Sequence, residues 1–166
     1  MFEFLKKKKK EDNTNILKFV APAKGKTLPL ADVPDPVFAQ KMVGDGLAIM
    51  LEDDVVVAPA DGELTLVFNT KHAFAMTLDN GIELLVHIGL ETVKLKGEGF
   101  EQLAQAGTKV KVGTPIIKVD REFIKSKGIS LITPVLITNP DNTKSITPVE
   151  NIDTVAGETI ILEYTV

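Results

Sequence analysis

Lys71-His72-Ala73-Phe74-Ala75-Met76-Thr77-Leu78, then Asp79-Asn80-Gly81, then Ile82-Glu83-Leu84-Leu85-Val86-His87-Ile88-Gly89: two apolar runs joined by Asn-Gly predict a β-hairpin, because Asn and Gly accept the positive φ of tight hairpin turns. The chain has two histidines, and both lie in this stretch. With Asn80-Gly81 as a two-residue loop, Asp79 faces Ile82 and Phe74 faces His87. Side chains alternate along a strand, so His72, Phe74 and Met76 then share a face with Leu85 and His87. His72 becomes the diagonal neighbour of His87, roughly 7–8 Å away at the backbone. Two imidazoles can then converge on one small ligand. A three-residue loop puts them on opposite faces instead.

Short strands surround the hairpin. Residues 16–21, 26–30, 47–51, 55–58 and 63–68 are strand candidates before it. Residues 92–96, 109–112, 115–119, 133–138, 146–149 and 159–166 are candidates after it. Gly, Pro and acidic turns separate them, among them Gly44-Asp45-Gly46 and Glu52-Asp53-Asp54. Asp35 can cap a short helix with Pro36 at its first position, and Asp120 can cap one over residues 121–127 that stops at Gly128. Residues 100–106 read as two further helical turns. Many short strands at close intervals define an all-β chain, an antiparallel β-sandwich or barrel with short helical turns. Ala21-Pro22-Ala23-Lys24-Gly25 recurs as Ala58-Pro59-Ala60-Asp61-Gly62, which points to a repeated strand-turn-strand unit.

The 166 residues fit a single domain over residues 16–166 behind a flexible basic arm, residues 1–15. The arm begins Met1-Phe2-Glu3-Phe4-Leu5-Lys6-Lys7-Lys8-Lys9-Lys10, so its tip is apolar and basic. It reads as a solvated tail, or as a weak contact with an anionic membrane. Net charge is −4, and residues 11–166 alone carry 14 basic and 22 acidic side chains. Such an acidic body argues against nucleic acid as a partner. With no Cys, a disulfide framework, thiol catalysis and cysteine metal sites are excluded, and a reducing cytoplasm suits the composition. No membrane span and no secretory signal is expected.

His87 sits among Leu84, Leu85, Val86 and Ile88. Burial there disfavours the imidazolium, and a neutral ring nitrogen is a nucleophile. Gly89 would let a partner's backbone come close. Thr70, Lys71 and His72 form a donor cluster that could bond a phosphoryl oxygen held on His87. The same two histidines could be half a zinc site, to which Glu91 or a partner would have to add a ligand. Gly44-Asp45-Gly46 and Gly97-Glu98-Gly99 are turns and not nucleotide loops, since neither completes a phosphate-binding motif.

Several stretches resemble one family, the glucose-type enzyme IIA of the bacterial phosphoenolpyruvate:sugar phosphotransferase system. They are Val33-Pro34-Asp35-Pro36-Val37-Phe38-Ala39-Gln40-Lys41-Met42-Val43-Gly44-Asp45-Gly46, Asn69-Thr70-Lys71-His72-Ala73-Phe74, and Leu85-Val86-His87-Ile88-Gly89-Leu90-Glu91-Thr92-Val93. Lys96-Gly97-Glu98-Gly99-Phe100 and residues 107–113 fit as well. The resemblance implies a duplicated hybrid-type β-barrel. It implies that His87 accepts a phosphoryl group, as tele-phosphohistidine, from the histidine-containing phosphocarrier protein. His87 then donates that group to the IIB domain of a glucose-type sugar permease. His72 would stabilise and transfer the group, with Thr70 hydrogen-bonded nearby. The docking face would comprise Val37, Phe38, Val43, Phe68, Leu85 and Val93, with Asp35 and Glu91 at its rim. No cofactor is obligatory, although some members share zinc with a partner's carboxylate, here through His72 and His87. The place of work would be the cytoplasm, with peripheral contact at the inner face of the membrane through the arm. Two other classes compete. A biotinyl- or lipoyl-type carrier is suggested by Gly107-Thr108-Lys109-Val110-Lys111-Val112-Gly113, but the clear hairpin tip lacks a lysine. A zinc peptidase of related barrel type would need more histidines than two.

Overall fold

The two echoed turns meet each other in the structure, a computed structural model that describes residues 16–166. The Val20 N–H donates to the Pro59 carbonyl at 2.9 Å, and the Val57 N–H donates to the Pro22 carbonyl at 2.7 Å. Each bond runs from the residue before one Ala-Pro to the proline of the other, so the pair is reciprocal. The expected arm over residues 1–15, with its membrane contact, lies outside the described residues.

The same duplication orders the sheets. The strands are β1 (Ile16–Val20), β2 (Gly25–Pro29), β3 (Asp45–Leu51), β4 (Val55–Val57), β5 (Gly62–Val67), β6 (Ala73–Thr77) and β7 (Glu83–His87). They continue as β8 (Phe100–Gln102), β9 (Thr108–Val110), β10 (Pro115–Val119), β11 (Ile132–Ile137), β12 (Ser145–Pro148), β13 (Asp153–Thr154) and β14 (Ile160–Thr165). Two short helices are α1 (Pro36–Ala39) and α2 (Arg121–Ser126). One three-stranded sheet runs β1-β14-β12 and another β4-β10-β8, while the large sheet runs β13-β2-β3-β11-β7-β6-β5-β9. Exchanging β1–β3 with β4–β6, β11 with β7, and β12–β14 with β8–β10 reproduces all three orders. The chain is therefore two copies of one seven-stranded unit, the second inserted between β3 and β11 of the first. Every strand pairing is antiparallel. No helix among the described residues is long and apolar enough to cross a membrane.

The main core fills the space between the sheets with aliphatic side chains around Phe19, Phe74 and Phe100. A smaller cluster lies on the other face of the large sheet: Leu30, Val33, Phe38, Ala48, Ala73, Leu85, Leu90 and Leu136. It is roofed by α1, where Asp35 caps the helix by accepting from the Val37 N–H at 3.0 Å and Pro36 takes the first position.

The hairpin register differs from the expected one. Ala73 pairs with His87, Phe74 with Val86 and Met76 with Leu84. The Leu78 N–H donates to Ile82 and the Gly81 N–H to Leu78, both at 2.9 Å, so Asp79, Asn80 and Gly81 form a three-residue loop. Phe74, Met76, Leu84 and Val86 enter the main core, while Ala73 and Leu85 join the outer cluster. Strand β7 is apolar on both faces. The alternation that would have chosen between registers is therefore absent from its sequence.

Other local expectations are corrected by tertiary pairing. Residues 100–106 are not helical: β8 pairs Phe100 with Val119 of β10, and burial of Phe100 outweighs helix propensity. Residues 92–96 form no strand but a 3-10 turn, Thr92–Leu95, whose buried Thr92 hydroxyl donates to the Ile88 carbonyl at 2.6 Å. Asp45 and Gly46 belong to β3 and not to a turn. A Cβ on Gly46 would lie 2.2 Å from the Val135 carbonyl oxygen, so glycine is needed there for close strand approach.

Candidate functional site

With a three-residue loop, strict alternation would send His72 inward with Phe74, away from His87. The two rings nevertheless meet, with centroids 4.9 Å apart and planes at 79°. The cause is local. His72 precedes β6, and the residue before it, Lys71, has φ 57. The Lys71 N–H closes a turn on the Phe68 carbonyl at 2.7 Å, and the Phe68 N–H bonds Ala73 at 3.0 Å. The backbone ladder still runs past His72, whose carbonyl accepts from the Ile88 N–H at 2.7 Å. Its side chain, however, leaves the strand's alternation and packs edge-on against Phe68 at 5.4 Å. The juxtaposition of the histidines thus comes from a turn, not from the two-residue loop expected of the sequence.

His87 ends β7 on the outward face and is wedged between His72 and Phe38, whose ring centroid is 5.0 Å away. Its Nδ1 lies 2.8 Å from the Gly89 carbonyl oxygen. A carbonyl can only accept, so Nδ1 carries the proton and, in the neutral ring, Nε2 carries the lone pair. Burial pushes the His87 pKa below its ordinary value, opposed by the Gly89 carbonyl and by the negative charge of Asp35. Burial pushes His72 down to about 4, helped by the neighbouring His87. Both rings are therefore largely neutral at pH 7. Thr70 Oγ1 stands 2.6 Å from His72 Nδ1, a bond that can run in either direction.

Gly89 was expected to admit a partner's backbone. Its role is nearer at hand, since at φ 75 it turns its carbonyl back onto the His87 ring. A Cβ there would lie 2.5 Å from Thr92 Cγ2 and 2.7 Å from the Ser130 carbonyl oxygen. A glycine two residues after a strand-end histidine is the sequence signal for this arrangement.

The expected docking residues fall into two groups. Val37 and Val93 are 43% and 52% exposed. Phe38 and Leu85 are buried in the outer cluster, where they support the His87 ring from behind, and Val43 and Phe68 are half-buried against the same cluster. Glu91 is exposed and pairs with Lys94 at 3.3 Å, while Asp35 is half-buried at the cap of α1. Met42, 70% exposed just after α1, adds apolar surface that the sequence reading left out. Among the described residues no group of three or more His, Cys, Asp or Glu side chains could hold a metal, so the two imidazoles stand as a pair.

An all-β sandwich with two neutral imidazoles on one rim defines a class of protein whose chemistry is carried by histidine. The comparisons with known proteins narrow that class. Residues 17–143 match the model of the family described as phosphoenolpyruvate-dependent sugar phosphotransferase system, EIIA 1. The chain is 47% identical to the PTS system glucose-specific EIIA component of Staphylococcus epidermidis, covering 100% of this chain and 99% of that protein. It is 45% identical to the Staphylococcus aureus protein of that name, covering 99% of each. The solved glucose permease IIA from Mycoplasma capricolum superposes with a TM-score of 0.83 at 35% identity, over 89% of this chain and 95% of that one. The chain belongs to the EIIA 1 family of the phosphoenolpyruvate-dependent sugar phosphotransferase system and is a phosphotransferase component of it.

Proposed function

We propose that this protein relays a phosphoryl group through His87, taking it from the histidine-containing phosphocarrier protein and giving it to the IIB domain of a glucose-type sugar permease. The observation that carries this reading is the bond from His87 Nδ1–H to Gly89, which leaves Nε2 as the nucleophile. In the first step the Nε2 lone pair attacks the phosphorus of the donor's phosphohistidine. The new N–P bond forms as the donor's N–P bond breaks, and that electron pair returns to the donor imidazole. The second step repeats the exchange, with the IIB nucleophile attacking the phosphoryl group on His87. No water takes part, and the apolar surroundings of the rings keep it away.

His72 would hold the group in transit. When the Thr70 hydroxyl donates to Nδ1, the neutral His72 ring carries its proton on Nε2 and can donate it to a phosphoryl oxygen. Val37, Met42 and Val93 would supply exposed apolar contact, and Asp35 and Glu91 would attract basic partners. The same two imidazoles would accept zinc only if a partner's carboxylate completed the set. Relay between partners suits a cytoplasmic protein, with the arm over residues 1–15 touching the anionic inner face of the membrane.

The test is incubation with phosphoenolpyruvate, enzyme I and the phosphocarrier, followed by mapping of acid-labile phosphate. One phosphoryl group at His87, and none on folded His87→Ala, is the expected result. Normal labelling of His87→Ala would overturn the assignment.

A further inference from the structure

The left-handed residue that turns His72 outward is not a glycine. Lys71 has φ 57, where a Cβ crowds the backbone and Gly, Asn or Asp is the usual occupant. Lys41, Lys71, Glu91 and Lys96 share this conformation. They lie on the segments that carry Met42, His72, Val93 and the loop beside Thr70. Backbone strain gathers where the surrounding structure fixes a site. Lys71 alone of the four adjoins a histidine. Its ammonium belongs to no ion pair among the described residues. Its backbone is held from one side, by the Lys71 N–H to Phe68, and His72 is held from the other, by the Ile88 N–H to its carbonyl. Pairing places Ala73 opposite His87, so an extended Lys71 would leave His72 in alternation with it, directed to the main core.

We propose that Lys71 is the positioning residue for His72: its left-handed backbone, locked by the Phe68 turn, swings His72 onto the His87 ring, and its side chain is not needed for this. The position then tolerates any residue at ease with positive φ and rejects β-branched ones, whatever their charge.

The experiment compares Lys71→Gly, Lys71→Asn and Lys71→Val in the full chain. Ring-to-ring NOEs between His72 and His87 report position. Phosphoryl acceptance from the phosphocarrier and donation to a IIB domain report use. Gly and Asn should keep the NOE and donate within about 2-fold of the unaltered chain, whereas Val should lose the NOE and donate about 10-fold more slowly, with acceptance changed by less than about 3-fold. A Gly variant as defective as Val would show that the ammonium matters and overturn the proposal. A Val variant with the NOE and donation intact would overturn it equally. If Val does not fold, the Gly and Asn variants decide: retained NOE and donation support the proposal, and loss of either overturns it. The kinetic half rests on the relay reading, but the NOE half does not. A chain that accepts no phosphoryl group would sink that reading and leave the NOEs to decide this one.

Discussion

Strand β6 is bounded by two turns with the same backbone and different consequences. In the far turn the Gly81 N–H closes on the Leu78 carbonyl at 2.9 Å, and in the near turn the Lys71 N–H closes on Phe68 at 2.7 Å. The closing residue is left-handed in both, with φ 85 and 57. Beyond Gly81 comes Ile82, fully buried in the main core. Beyond Lys71 comes His72, turned to the rim. Asn80 completes the far turn within the fold, accepting from the Ile82 N–H at 3.1 Å and donating to the Tyr164 hydroxyl at 3.0 Å. Thr70 completes the near turn on an imidazole. One backbone device thus seats a core residue at one end of the strand and aligns a reactive ring at the other. Changes at the far end should cost stability alone, and changes at the near end should cost phosphoryl transfer.

The largest contrast pairs His87→Ala with Asn80→Ala. Loss of the only nucleophilic Nε2 should reduce acceptance by about a thousandfold or more while the fold persists, as for removal of a covalent nucleophile. Asn80→Ala should leave acceptance unchanged and lower stability by about 1–2 kcal/mol, through two lost hydrogen bonds. Denaturant melts and radiolabelled acceptance measure both. A large loss of acceptance in a folded Asn80→Ala protein would break the division between the two ends.

His72→Gln comes next. The amide keeps a donor but no imidazole, so acceptance at His87 should stay within a few-fold while donation to IIB falls by about 10–100-fold. Single-turnover assays of the two half-reactions separate these steps. Equal losses in both would mean that His72 serves the acceptor's reactivity and not the passage of the group.

Acid should expose the near end as well. The folded His72 pKa is pushed from its ordinary 6.5 to about 4, chiefly by burial. The unfolded chain therefore binds a proton that the folded chain refuses between those values. Stability is full above about 6.5 and is lost progressively as pH falls towards about 4, by roughly 1–3 kcal/mol. His87, also pushed down, acts in the same direction. Melts from pH 7 to 4.5 should show the fall, and His72→Gln should flatten it. An unchanged slope in that variant would place the acid sensitivity elsewhere.

The far turn was legible because Asn-Gly announces itself, although its loop length was not. Strand β7 buries both faces, so nothing in Leu84-Leu85-Val86 says which residues face the rim. The near turn carries no such announcement. Asn69-Thr70-Lys71 contains no glycine, and a left-handed Lys71 becomes visible only once the Phe68 turn is seen. The closeness of His72 and His87 was expected on an incorrect register and arises from that hidden turn. Helix caps at Asp35 and Asp120 were legible, because an acidic residue before Pro36 or Arg121 makes a local bond with a nearby N–H. Strand β8 was not, since its reason to extend is β10, which follows it in the chain.

The smallest effect gives the sharpest test of the comparison, because it is a reciprocal exchange with opposite signs. Gly81 has φ 85 and open space where a Cβ would stand, so Gly81→Ala meets no clash and pays only in backbone conformation. That substitution should destabilise by about 1 kcal/mol, the usual excess of a left-handed Ala over Gly. Lys71→Gly relieves the same conformational cost at the near turn but gives the unfolded chain more freedom. The two nearly cancel, and the net should be a gain of no more than about 1 kcal/mol. Acceptance should be unaffected in both proteins, since neither touches His87 or Gly89. Urea melts of the two single variants and of the double variant measure this directly. The turns stand at opposite ends of β6, so their effects should add to within about 0.5 kcal/mol. Destabilisation by Lys71→Gly as large as that by Gly81→Ala would mean that the lysine side chain holds the near turn, and that the two turns differ in kind and not merely in occupant.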